Sequence, residues 1–158
     1  MMEEIDEAIQ DCFIVTHNGK FDMLWMREHF EVEWEIGFDT MLAHYILDEN
    51  SFHGLKYLAM KLCGAVDWEI DKEEKQGNAP LLKIGKYHAH DLFYTRELRF
   101  ALAKMLREDK EVKLVYEQIL LPCANLFVDI EYTGVCIDTT RFNDAEKVLR
   151  DQYNLSLS

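Results

Sequence analysis

The chain has 158 residues, the length of one ordinary domain, and its 49% hydrophobic and 12% aromatic content is enough for a buried core and excludes a disordered chain. A net charge of −13 argues against sequence-independent binding of phosphates through Lys and Arg. It is compatible with a nucleic-acid enzyme whose divalent metals carry the positive charge. Only 7 Gly and 2 Pro residues favour long helices over an all-β fold.

The cysteine and histidine positions argue against disulfides and a zinc site. No Cys-x-x-Cys pair and no secretory signal occur, so the cysteines are expected to be reduced, mostly buried thiols of an intracellular protein. The 6 histidines are scattered, which disfavours zinc. No apolar run reaches the length of about eighteen residues that a membrane span needs. The four cysteines are Cys12, Cys63, Cys123 and Cys136.

The first predicted elements lead to two polar residues at the end of a strand. The pattern predicts, in order, an acidic helix over residues 1–11, a buried strand at Phe13–Val15, a turn at His17–Gly19 and a helix from there to about Phe30. Asn18 and Asp22 then lie near the carboxyl end of the strand, which is where ligands bind in open α/β sheets.

Asp22 has two interpretations at this stage. It can be an acid in the first turn of a helix that interacts with the helix dipole. It can instead be a metal ligand aimed into a cleft. On this stretch alone the first interpretation is favoured, because acids are common where helices begin.

The next segment predicts a second strand and two helices. Val32–Ile36 is a candidate strand, and a helical crossover from the first strand favours parallel pairing. Asp39 is a plausible N-cap for a helix that ends at Leu47, with Leu42, Tyr45 and Ile46 on one face. A helix that begins near Gly54 and ends at Gly64 follows. The charged run Asp67–Pro80 is expected to be a solvated loop, with a mobile flap beside a cleft as the less favoured alternative.

One long helix is predicted from Leu81 to about Arg107, and Asp91 does not fit its apolar stripe. A partly desolvated carboxylate needs a cation or hydrogen-bond donors. Tyr87 lies one turn earlier, so its hydroxyl and the Asp91 carboxylate can reach the same point. The alternative to a functional role for Asp91 is a structural one, either a buried Tyr–Asp hydrogen bond or an aspartate that points to solvent. The stripe consists of Ile84, Tyr87, Asp91, Tyr94 and Leu98.

The remaining elements are helical apart from one short segment. Residues 112–132 predict a helix in which Pro122 causes a kink or begins a new segment, and Gly134 ends it. Val135–Ile137 is a short strand candidate. Asp138 is expected to cap a last helix.

Three motifs in order resemble a known family. Asn18–Asp22, Phe38–Asp48 and Tyr87–Asp91 resemble the second and third motifs of the 3′–5′ exonucleases that use four acidic residues and a tyrosine. The closest likeness is to the proofreading domain of family A (Pol I-like) DNA polymerases of a phage type. Leu120–Asp138 resembles the segment by which such polymerases pass from the exonuclease into the polymerase domain.

The resemblance implies a role for each matching residue. Asp22 and Asp91 would be metal ligands, and Tyr87 would orient the attacking water. Asn18 and Phe21 would lie against the terminal nucleotides of a single strand. The implied cofactors are two Mg²⁺ or Mn²⁺ ions, which prefer the hard oxygen atoms of carboxylates. Asp39 matches a structural position of the family and is interpreted as a helix cap.

The sequence departs from the family at its beginning. The first exonuclease motif, Asp-x-Glu on a strand, is not found in residues 1–12, so two of the four carboxylates are missing. The expected fold is therefore an α/β fragment of a ribonuclease H-like exonuclease domain. It is helix-rich with a short parallel strand pair and lacks the N-terminal antiparallel strands. We expect weak or no activity from this chain alone.

The resemblance also predicts domains and partners. Residues 1–110 would be a partial exonuclease domain, and residues 111–158 a connecting helix and the start of a polymerase domain. The expected partners are the single-stranded 3′ end of DNA and the remainder of a DNA polymerase, in the same chain or in trans, with no membrane. The expected location is the cytoplasm of a bacterial host.

Two other functions compete with proofreading. A ribonuclease D-like enzyme would trim RNA, but the polymerase-like segment after Leu120 argues against it. A non-catalytic scaffold would keep the fold without its site, and the sheet edge left unpaired would attract a partner strand. The scaffold hypothesis predicts that Asp22→Ala and Asp91→Ala leave function intact.

Overall fold

The computed structural model describes residues 7–9, 12–71, 73–74 and 79–156. Residues 7–9 are helical, and most of the helix predicted over residues 1–11 lies outside the described residues. The elements that follow are β1 (Ile14–Thr16), α1 (Gly19–Phe30), β2 (Ile36–Asp39), α2 (Thr40–Leu47), α3 (Leu55–Cys63), α4 (Leu81–Glu108), α5 (Lys110–Val115), a π-helical turn (Tyr116–Leu120), α6 (Leu121–Thr133) and α7 (Thr139–Ser156).

The two strands form a parallel pair, as the sequence predicts. Ile14 pairs with Ile36, Val15 with Phe38 and Thr16 with Asp39, so the register is irregular between the first two pairs. The extra residue at this irregularity is Gly37, where a Cβ atom would approach the ring of Phe13 to 2.9 Å. The glycine therefore allows the aromatic ring to lie on the strand.

Helices pack on the strand pair in two clusters of buried side chains. The larger cluster joins β2, α2 and α3 to the second half of α4 and the π-helical turn, through Phe38, Ala43, Leu58, Leu98, Leu102, Leu106 and Tyr116. The smaller cluster joins α1 and β2 to α6, through Met23, Ile36, Ala124 and Val128. Residues 116–128 thus pack against the same sheet as the preceding elements, and the domain boundary at residue 110 stays a prediction.

Most predicted helices are confirmed within one or two residues. Leu81–Glu108 is a single helix, and four residues of its predicted stripe are half-buried while Leu98 is fully buried. Gly64 and Gly134 end their helices with φ of 67°. Tyr45, predicted on the inner face of α2, is instead 46% exposed. The face of α2 that is turned to the core carries Thr40, Ala43 and His44, which are its buried residues, and Tyr45 lies beside this face.

Two strand predictions were wrong. The second strand lies at Ile36–Asp39 rather than Val32–Ile36, because pairing with β1 selects the alternating buried residues Ile36 and Phe38. Residues 135–137 form no strand, and the side chains of Val135 and Ile137 are 87% and 67% exposed. They have no paired neighbour in the described part of the chain.

Pro122 is placed in the first turn of α6, directly after the π-helical turn. Proline has no N–H to continue the regular hydrogen-bond pattern, and a wider turn accommodates this loss. Pro122 therefore begins a new segment, which is one of the two predicted outcomes.

The cysteines and the last helix are more exposed than expected. Cys12 and Cys136 are exposed and the other two cysteines are half-buried, so the prediction of mostly buried thiols was wrong. Asp138 caps α7 by accepting from the N–H groups of Thr140 and Arg141, both at 3.1 Å. None of the residues of α7 is buried. Within the described ranges, no helix is both long and apolar enough to cross a bilayer.

Candidate active site

The turn between β1 and α1 brings the helix close to the end of the strand. Asn18 adopts a left-handed conformation with φ of 67°, which asparagine tolerates better than most residues. Gly19 follows as the first helical residue, and a Cβ atom there would lie 2.4 Å from the hydroxyl oxygen of Thr16. A side chain at position 19 would therefore push α1 away from β1.

The buried carboxylate of Asp39 holds this turn in place. It caps α2 by accepting from the N–H groups of Met41 and Leu42 at 2.9 and 3.1 Å. It also accepts from Gly19 N–H at 2.7 Å and from the hydroxyl of Thr16 at 3.1 Å. The sequence-based interpretation of Asp39 as a helix cap is confirmed. The same carboxylate also binds the backbone N–H of Gly19, at the beginning of α1.

Asp22 and Asp91 line the same cavity, which has a volume of about 630 Å³. Asp22 comes from the first turn of α1, and Asp91 from the middle of α4. Burial raises the pKa of Asp22, and the negative charge of Asp39 raises it further. A cation beside Asp22 would oppose both effects, because it favours the charged carboxylate.

Asp91 and Tyr87 each accept a hydrogen bond from a residue outside α4. The indole N–H of Trp68 donates to Asp91 Oδ1 at 2.8 Å. The ammonium of Lys56 donates to the Tyr87 hydroxyl at 2.9 Å and lies 4.4 Å from the centre of its ring. Tyr87 is not among the residues that line the cavity, all of which belong to the described ranges.

His17 and His88 also line the cavity. The Thr40 hydroxyl donates to the carbonyl of Thr16 at 3.0 Å and lies 2.8 Å from Nδ1 of His17. Burial lowers the pKa of His17, although the carboxylates of Asp39 and Asp91 oppose this.

Asn18 and Phe21 lie beside Asp22 at the beginning of α1. Both are exposed, and Phe21 presents 66% of its surface. No capping bond from the Asn18 side chain to the α1 backbone is formed in this part of the structure. An exposed amide and an exposed aromatic ring at the carboxyl end of a strand can contact a ligand without rearrangement of the core.

The 3′–5′ exonuclease family model matches residues 1–107, which is most of this chain. The chain belongs to the 3′–5′ exonuclease family of the family A DNA polymerases. The resemblance on which the sequence analysis depends is thereby confirmed. The match includes all five residues that the exonuclease motifs single out.

Curated relatives of this exonuclease chain are DNA polymerases. The DNA polymerase of Bacillus phage SP01 is 30% identical over 160 residues, which cover 94% of this chain and 17% of that protein. The DNA polymerase of Escherichia phage T5 is 34% identical over 166 residues, which cover 89% and 19%. DNA polymerase I of Borreliella burgdorferi is 31% identical over 129 residues, which cover 79% and 14%. The chain therefore spans less than a fifth of each relative.

The exonuclease motifs did not reveal four residues that the structure adds to the site. His88 could have been found, because it precedes Asp91 by three residues and so shares its side of α4. His17 immediately precedes a motif residue. Trp68 and Lys56 carry no local sequence pattern, since they reach Asp91 and Tyr87 from distant segments.

The donor atoms of the exonuclease cavity fit a hard divalent cation. Its lining contains the carboxylates of Asp22 and Asp91 together with the imidazoles of His17 and His88 and no thiol. The two carboxylates are the hard oxygen ligands that Mg²⁺ and Mn²⁺ prefer. Within the described residues, no group of three or more His, Cys, Asp or Glu side chains could hold a metal ion. Asp22 and Asp91 would therefore supply only part of the coordination shell of such an ion.

Proposed function

We propose that this chain contributes the second and third exonuclease motifs of a proofreading domain that removes 3′-terminal nucleotides from DNA. In this proposal Asp22 and Asp91 hold divalent cations, and the fold is of the ribonuclease H-like type. The remaining carboxylates of the site belong to the first exonuclease motif, Asp-x-Glu on a strand, which residues 1–12 do not contain. The observation that carries the proposal is the cavity shared by Asp22 and Asp91.

The chemistry of a phosphodiester explains the need for this arrangement. When bound, two divalent cations screen the anionic phosphate, activate the attacking water and stabilise the leaving 3′ oxygen. Asp22 and Asp91 hold them from two different helices, so the relative position of α1 and α4 fixes the geometry. Asp39 keeps α1 in that position through its bonds to the turn before it.

The family resemblance assigns Tyr87 to orienting the attacking water rather than removing its proton, although the Tyr87 side chain does not line the cavity in the described structure. Lys56 donates a hydrogen bond to the Tyr87 oxygen. The Tyr87 hydroxyl can therefore act toward a water molecule as a donor, through its O–H. A tyrosine hydroxyl is a weak base at neutral pH and a better positioning group.

Asn18 and Phe21 contact the terminal nucleotides of the single strand. The exposed ring of Phe21 offers a surface on which a base can stack, whatever its identity. Such stacking supports affinity without a basic groove, in agreement with the net charge of −13. This suits an enzyme that must accept any mismatched 3′ end.

The test measures stepwise shortening of a 5′-labelled single-stranded DNA in Mg²⁺ or Mn²⁺, by this chain alone and by the polymerase that contains it. We expect the polymerase to shorten the strand from its 3′ end and this chain to act weakly. In the polymerase, Asp22→Asn and Asp91→Asn should each lower the rate of 3′-end shortening by about a hundredfold or more, because each removes a carboxylate that holds the cations at the reacting phosphate.

Asp144→Asn is the control, since Asp144 is an exposed aspartate of α7 and lies outside the exonuclease motifs. It should leave the rate unchanged. Unchanged shortening in the Asp22 and Asp91 variants would overturn the proposal, because another site would then cut the DNA. No shortening by either wild-type protein would also overturn it and would favour the scaffold hypothesis. Faster shortening of an RNA strand than of DNA would favour a ribonuclease D-like enzyme, because the 2′-hydroxyl distinguishes the two substrates.

A further inference from the structure

Trp68 connects the segment between α3 and α4 to the carboxylate of Asp91. Its indole N–H donates to Oδ1 of Asp91 at 2.8 Å. The other oxygen, Oδ2, has the ring nitrogen of His88 at 3.9 Å, which is beyond hydrogen-bonding distance. The Asp91 side chain is 24% exposed and lines the cavity. One of its oxygen atoms thus accepts a hydrogen bond from the protein while the side chain remains accessible from the cavity.

Three contacts fix the position of the indole ring. Trp68 stacks on Tyr94 with ring centres 4.7 Å apart and an angle of 18° between the planes. It stacks more loosely on His90 at 5.9 Å. Lys56 lies 5.5 Å from the Trp68 ring, and its ammonium forms an ion pair with the neighbouring Glu69 at 2.8 Å. The hydrogen bond to Asp91 is therefore donated by a ring with little freedom to turn.

A fixed donor on one carboxylate oxygen determines how that carboxylate can bind a cation. Mg²⁺ and Mn²⁺ sites use a few carboxylate oxygen atoms in strict octahedral geometry. Because Oδ1 accepts the hydrogen bond from the indole, Oδ2 would be the oxygen atom through which Asp91 binds a cation. Hydrogen bonds from surrounding groups to ligand carboxylates orient them and support metal affinity.

We propose that Trp68 is a positioning residue for Asp91, which it holds in the orientation that binds the divalent cation through Oδ2. The inference deepens the proposed function and rests on it, because it requires Asp91 to be a metal ligand. The indole N–H is the operative group. A phenylalanine at the same position keeps the aromatic stacking and lacks this donor.

The test measures Mn²⁺ binding to the 158-residue chain by electron paramagnetic resonance of the free ion. Trp68→Phe should weaken binding by about 10- to 100-fold, the usual effect of losing a hydrogen bond to a metal ligand. Trp25→Phe is the matched control, since Trp25 is an exposed tryptophan of α1 that packs on His29 and Phe30. It should leave the affinity unchanged. Asp91→Asn should weaken binding at least as much as Trp68→Phe.

The outcomes separate this inference from the proposed function. If Asp91→Asn weakens binding while Trp68→Phe binds equally or more tightly, the inference is wrong and the proposed function stands. If Asp91→Asn has no effect on binding, both are wrong. If the wild-type chain binds no Mn²⁺ at millimolar concentration, this inference is wrong, whereas the proposed function is decided by the shortening of DNA, because two of its carboxylates belong to a motif that residues 1–12 do not contain. Circular dichroism of each variant checks that the fold is kept.

A second measurement does not depend on the folding of the phenylalanine variant. Mg²⁺ added to the wild-type chain should change the tryptophan emission, because a cation at Asp91 alters the charge next to the Trp68 indole. The change should be absent from Asp91→Asn and present in both Trp25→Phe and Trp34→Phe, the second being needed because Trp34 also lines the cavity. An emission that stays constant while Mg²⁺ displaces bound Mn²⁺ would contradict the inference.

Discussion

The Asp39 side chain joins two helix ends and both strands through one buried carboxylate. It is 1% exposed and accepts hydrogen bonds from the backbone of two turns and from a threonine hydroxyl. Its own backbone N–H donates to the hydroxyl of Tyr116 at 2.8 Å. Asp39 is therefore a structural residue from which the position of Asp22 follows.

Asp39→Ala should lower the free energy of unfolding by about 2–4 kcal/mol, because it removes a helix cap and also leaves buried donors without an acceptor. Urea denaturation followed by circular dichroism measures the change. Asp109→Ala is the matched control, since Asp109 caps α5 in the same way but is exposed. That variant should lose only about 1 kcal/mol. Equal losses in the two variants would argue against a special role for Asp39.

The residues of the candidate site differ in how far the sequence could predict them. Asp22 and Asp91 stand out because each is an acid in a motif, and Asp91 interrupts an apolar stripe. The pairing of Asp91 with Trp68 could not be predicted, because the charged segment around Trp68 resembles an ordinary solvated loop. The roles of Tyr87, Asn18 and Phe21 stay predictions.

Among the helices, α2 is attached to the following segment by a pair of histidines. Nδ1 of the buried His44 lies 2.8 Å from Nδ1 of His53. One nitrogen must donate and the other must accept, so the contact requires at least one neutral ring. Burial lowers the pKa of His44, and the nearby His53 and Lys61 lower it further, against a smaller opposing effect of Asp48.

This pair should make the protein less stable as the pH falls below about 6.5. The unfolded chain takes up a proton at His44 near its ordinary pKa of 6.5, whereas the folded protein resists it to a lower pH. Urea midpoints at about pH 7.5 and about pH 5.5 measure the loss. His44→Asn should reduce this pH dependence, even if it lowers stability overall.

His29→Asn is the control, because His29 is exposed on α1. It should leave the difference between the two midpoints unchanged. A wild-type pH dependence that His44→Asn leaves intact would show that other groups cause the acid instability.

The strand positions show where tertiary pairing overrides local pattern. The β-branched and aromatic residues of Val32–Ile36 favour a strand, yet the chain pairs with β1 only from Ile36 onward. The strand at Ile36–Asp39 was not predicted, because Gly37 is typical of a break in a strand and Asp39 is typical of a helix cap. Residues 135–137 have the composition of a strand but lack a partner in the described residues.

Across the chain, the order of the helices and strands was easier to predict from the sequence than the way in which they pack together. Hydrophobic spacing gives the helices, since a periodic stripe is a local property. Leu98 packs α4 on Phe38 of β2. Met23 packs α1 on Ile36 of the same strand. No local pattern specifies these contacts, through which the sheet places both helices. Only the family resemblance predicted that Asp22 and Asp91 would share a cavity.

The central claim is that Asp22 and Asp91 bind the same divalent cations, and iron-directed cleavage tests it directly. Fe²⁺ bound in place of Mg²⁺ generates hydroxyl radicals with ascorbate and peroxide, which cut the nearby backbone, and mass spectrometry locates the cuts. We predict cuts both in the turn before Asp22 and in α4 around Asp91, suppressed together by excess Mg²⁺ and lost in Asp22→Asn and Asp91→Asn. Cuts in only one of the two segments, or cuts that persist in both variants, would contradict the account.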